Sequence, residues 1–155
     1  MQVCLNGHKI TDKLRMLPDR GKQHCSDCGA ATIIDCQNCK APIRGYYHLP
    51  GVMSTGPGPK VPAFCHECGR PYPWTESRPK AAQQLAEEVE GLTNEEREKL
   101  KASFDDLVRD TPRTTVAATR FKRLATKMGR GAAEGFKAIL VDVLSEAAKK
   151  LILPG

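Results

Sequence analysis

In the second half of the chain apolar residues recur at three- and four-residue intervals. In the first half they fall in short pieces between cysteines, glycines and prolines. The first pattern predicts amphipathic helices, the second short strands and tight turns. Ser77 can cap a helix with Pro79 in its first turn, and Ala82, Leu85, Ala86 and Val89 form its stripe until Gly91 stops it. Thr93-Asn94-Glu95-Glu96 has the form of a capping box, followed by Leu100, Phe104, Leu107 and Val108 on one face. Thr111-Pro112 ends that helix and opens a third, where Ala117, Phe121, Leu124, Ala125 and Met128 align before Gly129. A fourth carries Phe136, Ile139, Leu140, Val143, Leu144, Ala147 and Leu151. So long a stripe exceeds what three short neighbours cover. This helix is therefore expected at the centre of the core, in an oligomer contact or, as a weaker reading, against a membrane surface.

The composition changes near residue 77, which predicts two domains, 1–76 and 77–155. In the first, Ala31-Thr32-Ile33-Ile34 reads as a strand. Two β-hairpins are expected, one turning at Pro18-Asp19-Arg20-Gly21. The other turns at Ser54-Thr55-Gly56-Pro57-Gly58-Pro59, between Tyr46-Tyr47-His48-Leu49 and Lys60-Val61-Pro62-Ala63-Phe64.

All seven cysteines lie in this part and, with His8, form four close pairs: Cys4 with His8, Cys25 with Cys28, Cys36 with Cys39, and Cys65 with Cys68. A two-residue gap lets one tight turn aim two thiolates at a single ion, and tetrahedral Zn²⁺ takes four N/S ligands. Neighbouring pairs then give two structural zinc ions per chain, one on Cys4, His8, Cys25 and Cys28, the other on Cys36, Cys39, Cys65 and Cys68. A cross-braced pairing of first with third and second with fourth is the rival. An odd number of cysteines, with no secretory signal at the start of the chain, argues against disulfides, and no βαβ context supports a redox pair. Asn6-Gly7 is a turn that would swing the His8 imidazole toward the metal. His24, His48 and His66 read as surface or supporting histidines. Gly29 and Gly69 follow their knuckles where a positive φ is expected. The fold expected is a small metal-bound β domain, a double zinc ribbon, followed by an all-α domain of about four helices.

The formal charge of +6 falls to about +3 once two zinc ions and their thiolates are counted. That is weak attraction for nucleic acid. Residues 81–110 are acidic on balance and 111–155 basic, which reads first as one helix pair packed on another. Arg44, Tyr46, Tyr47, Lys60, Arg70, Tyr72 and Trp74 gather around the second ribbon in sequence, with Arg78 just beyond. Basic groups interleaved with aromatics suit a peptide or single-stranded nucleic acid, although Trp74 reads more readily as packing between ribbon and first helix. Closed four-ligand sites activate no water, and no P-loop, GxGxxG, HExxH or GxSxG motif occurs, so no enzyme is expected.

Cys4-x-Asn6-Gly7-His8, Cys25-x-x-Cys28-Gly29, Cys36-x-x-Cys39, Pro42-Ile43-Arg44-Gly45 and the closing Pro71-Tyr72-Pro73-Trp74-Thr75-Glu76 together resemble a bacterial double-zinc-ribbon family of unknown function. The resemblance is strong over the first half and looser over the tail. It implies a bacterial, cytoplasmic zinc protein with no established activity. The function expected is a non-enzymatic adaptor, its ribbons recognising a protein partner while its helices pack or self-assemble. The alternative is a nucleic-acid binder using the basic-aromatic patch. A membrane surface is the least favoured partner.

Overall fold

A computed structural model of the chain describes residues 1–51 and 58–153. It divides into two compact units, Met1–Thr75 and Glu76–Gly155.

The first unit holds one small antiparallel sheet of β1 (Gln2–Cys4), β2 (Lys9–Thr11) and β3 (Thr32–Ile33), in the order β2-β1-β3. Val3 pairs with Ile33 and Cys4 with Thr32, and an irregularity between Gln2 and Val3 shifts the register against β2. All of β1 is buried, as suits the middle strand. Gln2 tolerates that burial because its amide is satisfied: Nε2 donates to Lys22 O and Thr32 Oγ1, and Oε1 accepts from Lys22 N. The strand expected at 31–34 is thus β3. The first hairpin is different from that expected, because β1 and β2 meet across the first knuckle itself. Pro18–Arg20 is a short 3₁₀ turn. Met16 N and Leu17 N both donate to Lys13 O, which curls residues 13–17 on themselves and leaves no ladder for a further strand. Of the second hairpin, residues 54–57 lie outside the described residues. Its flanks at 46–49 and 60–64 carry no strand, and Pro59 and Pro62 remove ladder donors there.

Among the described residues six helices follow: α1 (Pro73–Glu88), α2 (Asn94–Lys101), α3 (Phe104–Leu107), α4 (Pro112–Ala125), α5 (Gly129–Leu140) and α6 (Glu146–Ile152). The first begins at Pro73, not Ser77, because a proline's fixed φ and missing N–H suit the first helical position, and Pro79 lies inside it. Thr93 and Glu96 close the expected capping box, each side chain accepting from the other's backbone N–H at 3.2 Å. The second and fourth helical stretches are each divided. Ser103 is fully buried, and its Oγ takes the Lys99 carbonyl that its own N–H would have used, so that N–H turns to Leu100 O and α2 ends. Ser145 N donates to Leu107 O at the end of α3, not to a carbonyl of its own stretch, and its Oγ caps α6 at Ala148 N.

Phe104, Phe121 and Phe136 centre this core, Phe136 lying 5.5 Å from Phe104 and edge-on to Phe121 at 6.0 Å. The helix that touches α2, α3, α5 and α6 is α4, so the third stretch, not the fourth, is the hub. Phe136, Leu140, Val143 and Leu144 are buried, and Ile139, Ala147 and Leu151 are partly covered. Four of the seven stripe positions are thus buried within the unit, and three keep part of their surface. Opposite charges of the two stretches meet as the simpler reading expects, in Lys127 with Glu96 and Arg113 with Asp106, while Lys101 pairs with Glu87 inside the acidic stretch. Among the described residues no helix is long and apolar enough to cross a membrane.

Candidate metal centres

Three of the four knuckles repeat one hydrogen-bonded frame. Gly29 N, Lys40 N and Gly69 N donate to the carbonyls of Cys25, Cys36 and Cys65, each at 2.9 Å. Cys25 N, Cys36 N and Cys65 N donate to Ala30 O, Ala41 O and Arg70 O. An isolated antiparallel bridge closes each base: His24 with Ala31, Asp35 with Pro42, Phe64 with Pro71. The residue after the second cysteine must turn left-handed, and Gly29 and Gly69 both have φ of 69°. Lys40 holds the same place with φ of 62°, and it alone among the described non-glycine residues has a positive φ.

The first knuckle is longer and is built from the sheet. Cys4 ends β1, Gly7 turns with φ of 91°, and Gly7 N returns to Cys4 O while Cys4 N meets His8 O. That turn brings His8 Nδ1 to 3.5 Å from Cys25 Sγ.

Two sets of ligand atoms result, Cys4, His8, Cys25 and Cys28, and Cys36, Cys39, Cys65 and Cys68, the atoms of each lying within 4.8 Å of one another. First joins second and third joins fourth, and the cross-braced pairing does not occur. Sulfur–sulfur distances are 3.7 Å for Cys4–Cys28, 3.8 Å for Cys36–Cys68 and 3.6 Å for Cys39–Cys65. A disulfide would need about 2.05 Å. A tetrahedron with metal–sulfur bonds of about 2.3 Å has edges of about 3.8 Å, and a sulfur–nitrogen edge of about 3.6 Å. Both sets can hold a metal ion. Together with the small sheet and the helices that follow, they fit a double zinc ribbon and a helical domain.

The thiols are poised for this. The Ala30 N–H, then the Asn6 side chain, draw Cys28 down to about 6, and the N–H groups of Cys68 and Glu67 do the same for Cys65. The Arg70 N–H lowers Cys68. Burial raises Cys4. At Cys39 the Ala41 N–H pulls down, but burial and the neighbouring Cys68, Cys65 and Cys36 sulfurs win and push it up to about 12. Four crowded thiolates repel one another, and a divalent cation removes that repulsion. Asn6 Nδ2, 3.4 Å from Cys28 Sγ, and His8 N, 3.2 Å from Cys4 Sγ, are donors to sulfur that spacing alone does not reveal.

The basic-aromatic patch is reorganised. Tyr72 and Trp74 are buried and cannot meet a partner. Burial raises the Tyr72 phenol, with the Cys65 sulfur adding to it. Arg78 is engaged by Asp142 Oδ2 at 2.9 Å and Ile139 O at 3.0 Å in the second unit. Arg44, Tyr46 and Tyr47 line a shared cleft, whereas Lys60 and Arg70 are exposed and are not among its lining residues. Lys13, Arg15 and Met16 also line it; they escaped the sequence reading because they stand far from the aromatics in the chain. His66 is among the residues lining this cleft and pairs with Glu67 at 3.2 Å; His24 and His48 are exposed, and none of the three belongs to either ligand set.

The chain belongs to a bacterial family whose model, described as an uncharacterized protein conserved in bacteria (DUF2321), matches residues 1–152. No curated protein and no solved structure matches it.

Proposed function

We propose that this protein is a non-enzymatic adaptor in which two structural Zn²⁺ ions hold a recognition surface for a protein partner. Thiolate and imidazole donors at tetrahedral spacing favour zinc over harder cations, and a complete four-ligand set leaves no place for substrate or water. So small a sheet cannot fold on apolar burial alone; metal binding contributes about 10 kcal/mol or more. Ligation by reduced thiols favours a reducing compartment, the cytoplasm.

The partner reading rests on where large apolar side chains stay exposed. Met16, Leu17, Ile34, Tyr47 and Leu49 all lie in the ribbon unit, against Val116 alone among the described residues of the helical unit. Exposed apolar and aromatic groups beside arginines are the composition of protein interfaces. A photoreactive residue at Ile34, Leu49 or Tyr47, expressed in the native host, is expected to give a discrete protein adduct. Adducts only with nucleic acid overturn the reading. The nucleic-acid alternative keeps Arg44, Tyr46, Tyr47, Lys60 and Arg70, and it requires submicromolar binding that falls steeply with salt.

A further inference from the structure

The cleft is a seam between the two ribbons, with a volume of about 330 Å³. One wall, Asp12 to Met16, follows β2 and depends on the first metal centre. The other, Pro42 to Tyr47, follows the third knuckle and depends on the second centre. Tyr46 N donates to Asp12 O at 2.9 Å, and Lys13 Nζ sits 4.7 Å above the Tyr46 ring. Gly45 allows this approach, since a β-carbon there would stand 2.4 Å from Asp12 O.

Lys13, Arg15 and Arg44 bring three cations to the seam, and no acidic side chain among the described residues pairs with them. The one carboxylate in the lining, Asp12, is turned toward Gly58. Around the cations stand Met16, half exposed, and Tyr47, 81% exposed, with Pro42 and the buried Ile43 behind. We infer that this cleft takes an extended acidic segment of a partner protein: its carboxylates on Lys13, Arg15 and Arg44, and an apolar or aromatic side chain between Met16, Pro42 and Tyr47. The inference rests on the protein-partner reading and names the chemistry of that partner. Charge complementarity sets the sign of the occupant, and the apolar lining sets its kind. A nucleotide strand fits less well. One face of Tyr46 is already covered by Lys13, and Met16 and Pro42 offer no stacking plane to successive bases. Because each wall depends on a different metal, loss of either ion is expected to abolish binding.

The experiment places a photoreactive residue at Tyr47, Ile34 or Leu49 of the full zinc-loaded chain in its host, and the cross-linked peptide is sequenced. At Tyr47 the expected adduct is a segment rich in Asp and Glu with an apolar residue. A synthetic copy of it is expected to bind the purified protein, and Arg15→Glu with Arg44→Glu to weaken it by about tenfold or more. Two metals retained per chain show that the variant is folded; if it loses them, Arg15→Gln with Arg44→Gln carries the same test. A neutral or basic segment, a nucleic-acid adduct, or acidic binding untouched by these changes overturns the inference. Protein adducts at Ile34 or Leu49 with none at Tyr47 overturn it and leave the adaptor reading standing. No protein adduct at any of the three removes both.

Discussion

Gly7 and Trp74 meet so closely that a β-carbon on the glycine would stand 2.9 Å from Trp74 Cβ. Trp74 is buried, stacks on Tyr72 at 4.7 Å, and donates from Nε1 to Pro62 O at 3.0 Å. The only tryptophan thus braces the turn that presents His8 against the segment entering the fourth knuckle. Gly7→Ala meets two penalties, a φ of 91° and overlap with the indole. The expected loss is about 2–4 kcal/mol. Urea unfolding followed by Trp74 fluorescence measures it, and a change below 1 kcal/mol would show that the contact is loose.

Lys40 offers the opposite change. It occupies, with φ of 62°, the place that Gly29 and Gly69 fill in sister knuckles. A lysine carries strain there that glycine does not, offset in part by its Nζ bond to Gln37 O at 3.1 Å. Lys40→Gly is expected to stabilise the zinc-loaded protein by up to about 1 kcal/mol, and Gly29→Ala to destabilise it by a similar amount. Denaturation midpoints in the presence of metal check both. A Lys40→Gly variant less stable than the parent would mean that the side chain contributes more than the backbone strain costs.

The ligand set was legible because metal geometry is local: a CxxC turn is the same wherever it stands, and neighbouring turns pair. The helical periodicity was legible for the same reason, as far as each stripe runs. Breaks at Ser103 and Ser145 were not, since each arises when a serine, buried at 103 and part-covered at 145, makes a hydrogen bond outside the helical pattern. The hairpins were misplaced because turn residues at Pro18–Gly21 mark a bend without saying whether strands flank it. Of the cleft, only the side carrying Arg44, Tyr46 and Tyr47 was legible. Lys13 and Tyr46, far apart in the chain, are brought together only by the folded ribbon unit.

Zinc affinity is expected to rise with pH. Cys39, pushed up to about 12 in the metal-free chain, still carries its proton at neutrality and must give it up to bind. A proton released on binding means that higher pH favours the bound state, by about tenfold per unit for each proton. The second site is therefore expected to gain at least tenfold between pH 7 and 8. Cys28 and Cys65, near 6, are ionised through that range and compete for protons only below it. The pH dependence is thus expected to steepen at both sites below about pH 6. Competition with a chromophoric chelator measures this, and a flat response between pH 7 and 8 would contradict the account.

His8→Ala separates the two centres. The imidazole is the only nitrogen ligand, and Nδ1 lies 3.5 Å from Cys25 Sγ, while the other set has four sulfurs of its own. Removing it leaves three sulfurs and a position open to water at the first centre, and nothing changed at the second. After mild chelation the variant is expected to retain one zinc per chain where the parent retains two, with Cys36, Cys39, Cys65 and Cys68 still protected from alkylation. The knuckle frame around those four cysteines contains no bond to His8. Equal loss at both centres would mean that the ribbons fold only together, the seam between Asp12 and Tyr46 making one cooperative body of two metal sites. Loss at neither would mean that a water or a neighbouring donor replaces the imidazole, and that Cys4, Cys25 and Cys28 suffice.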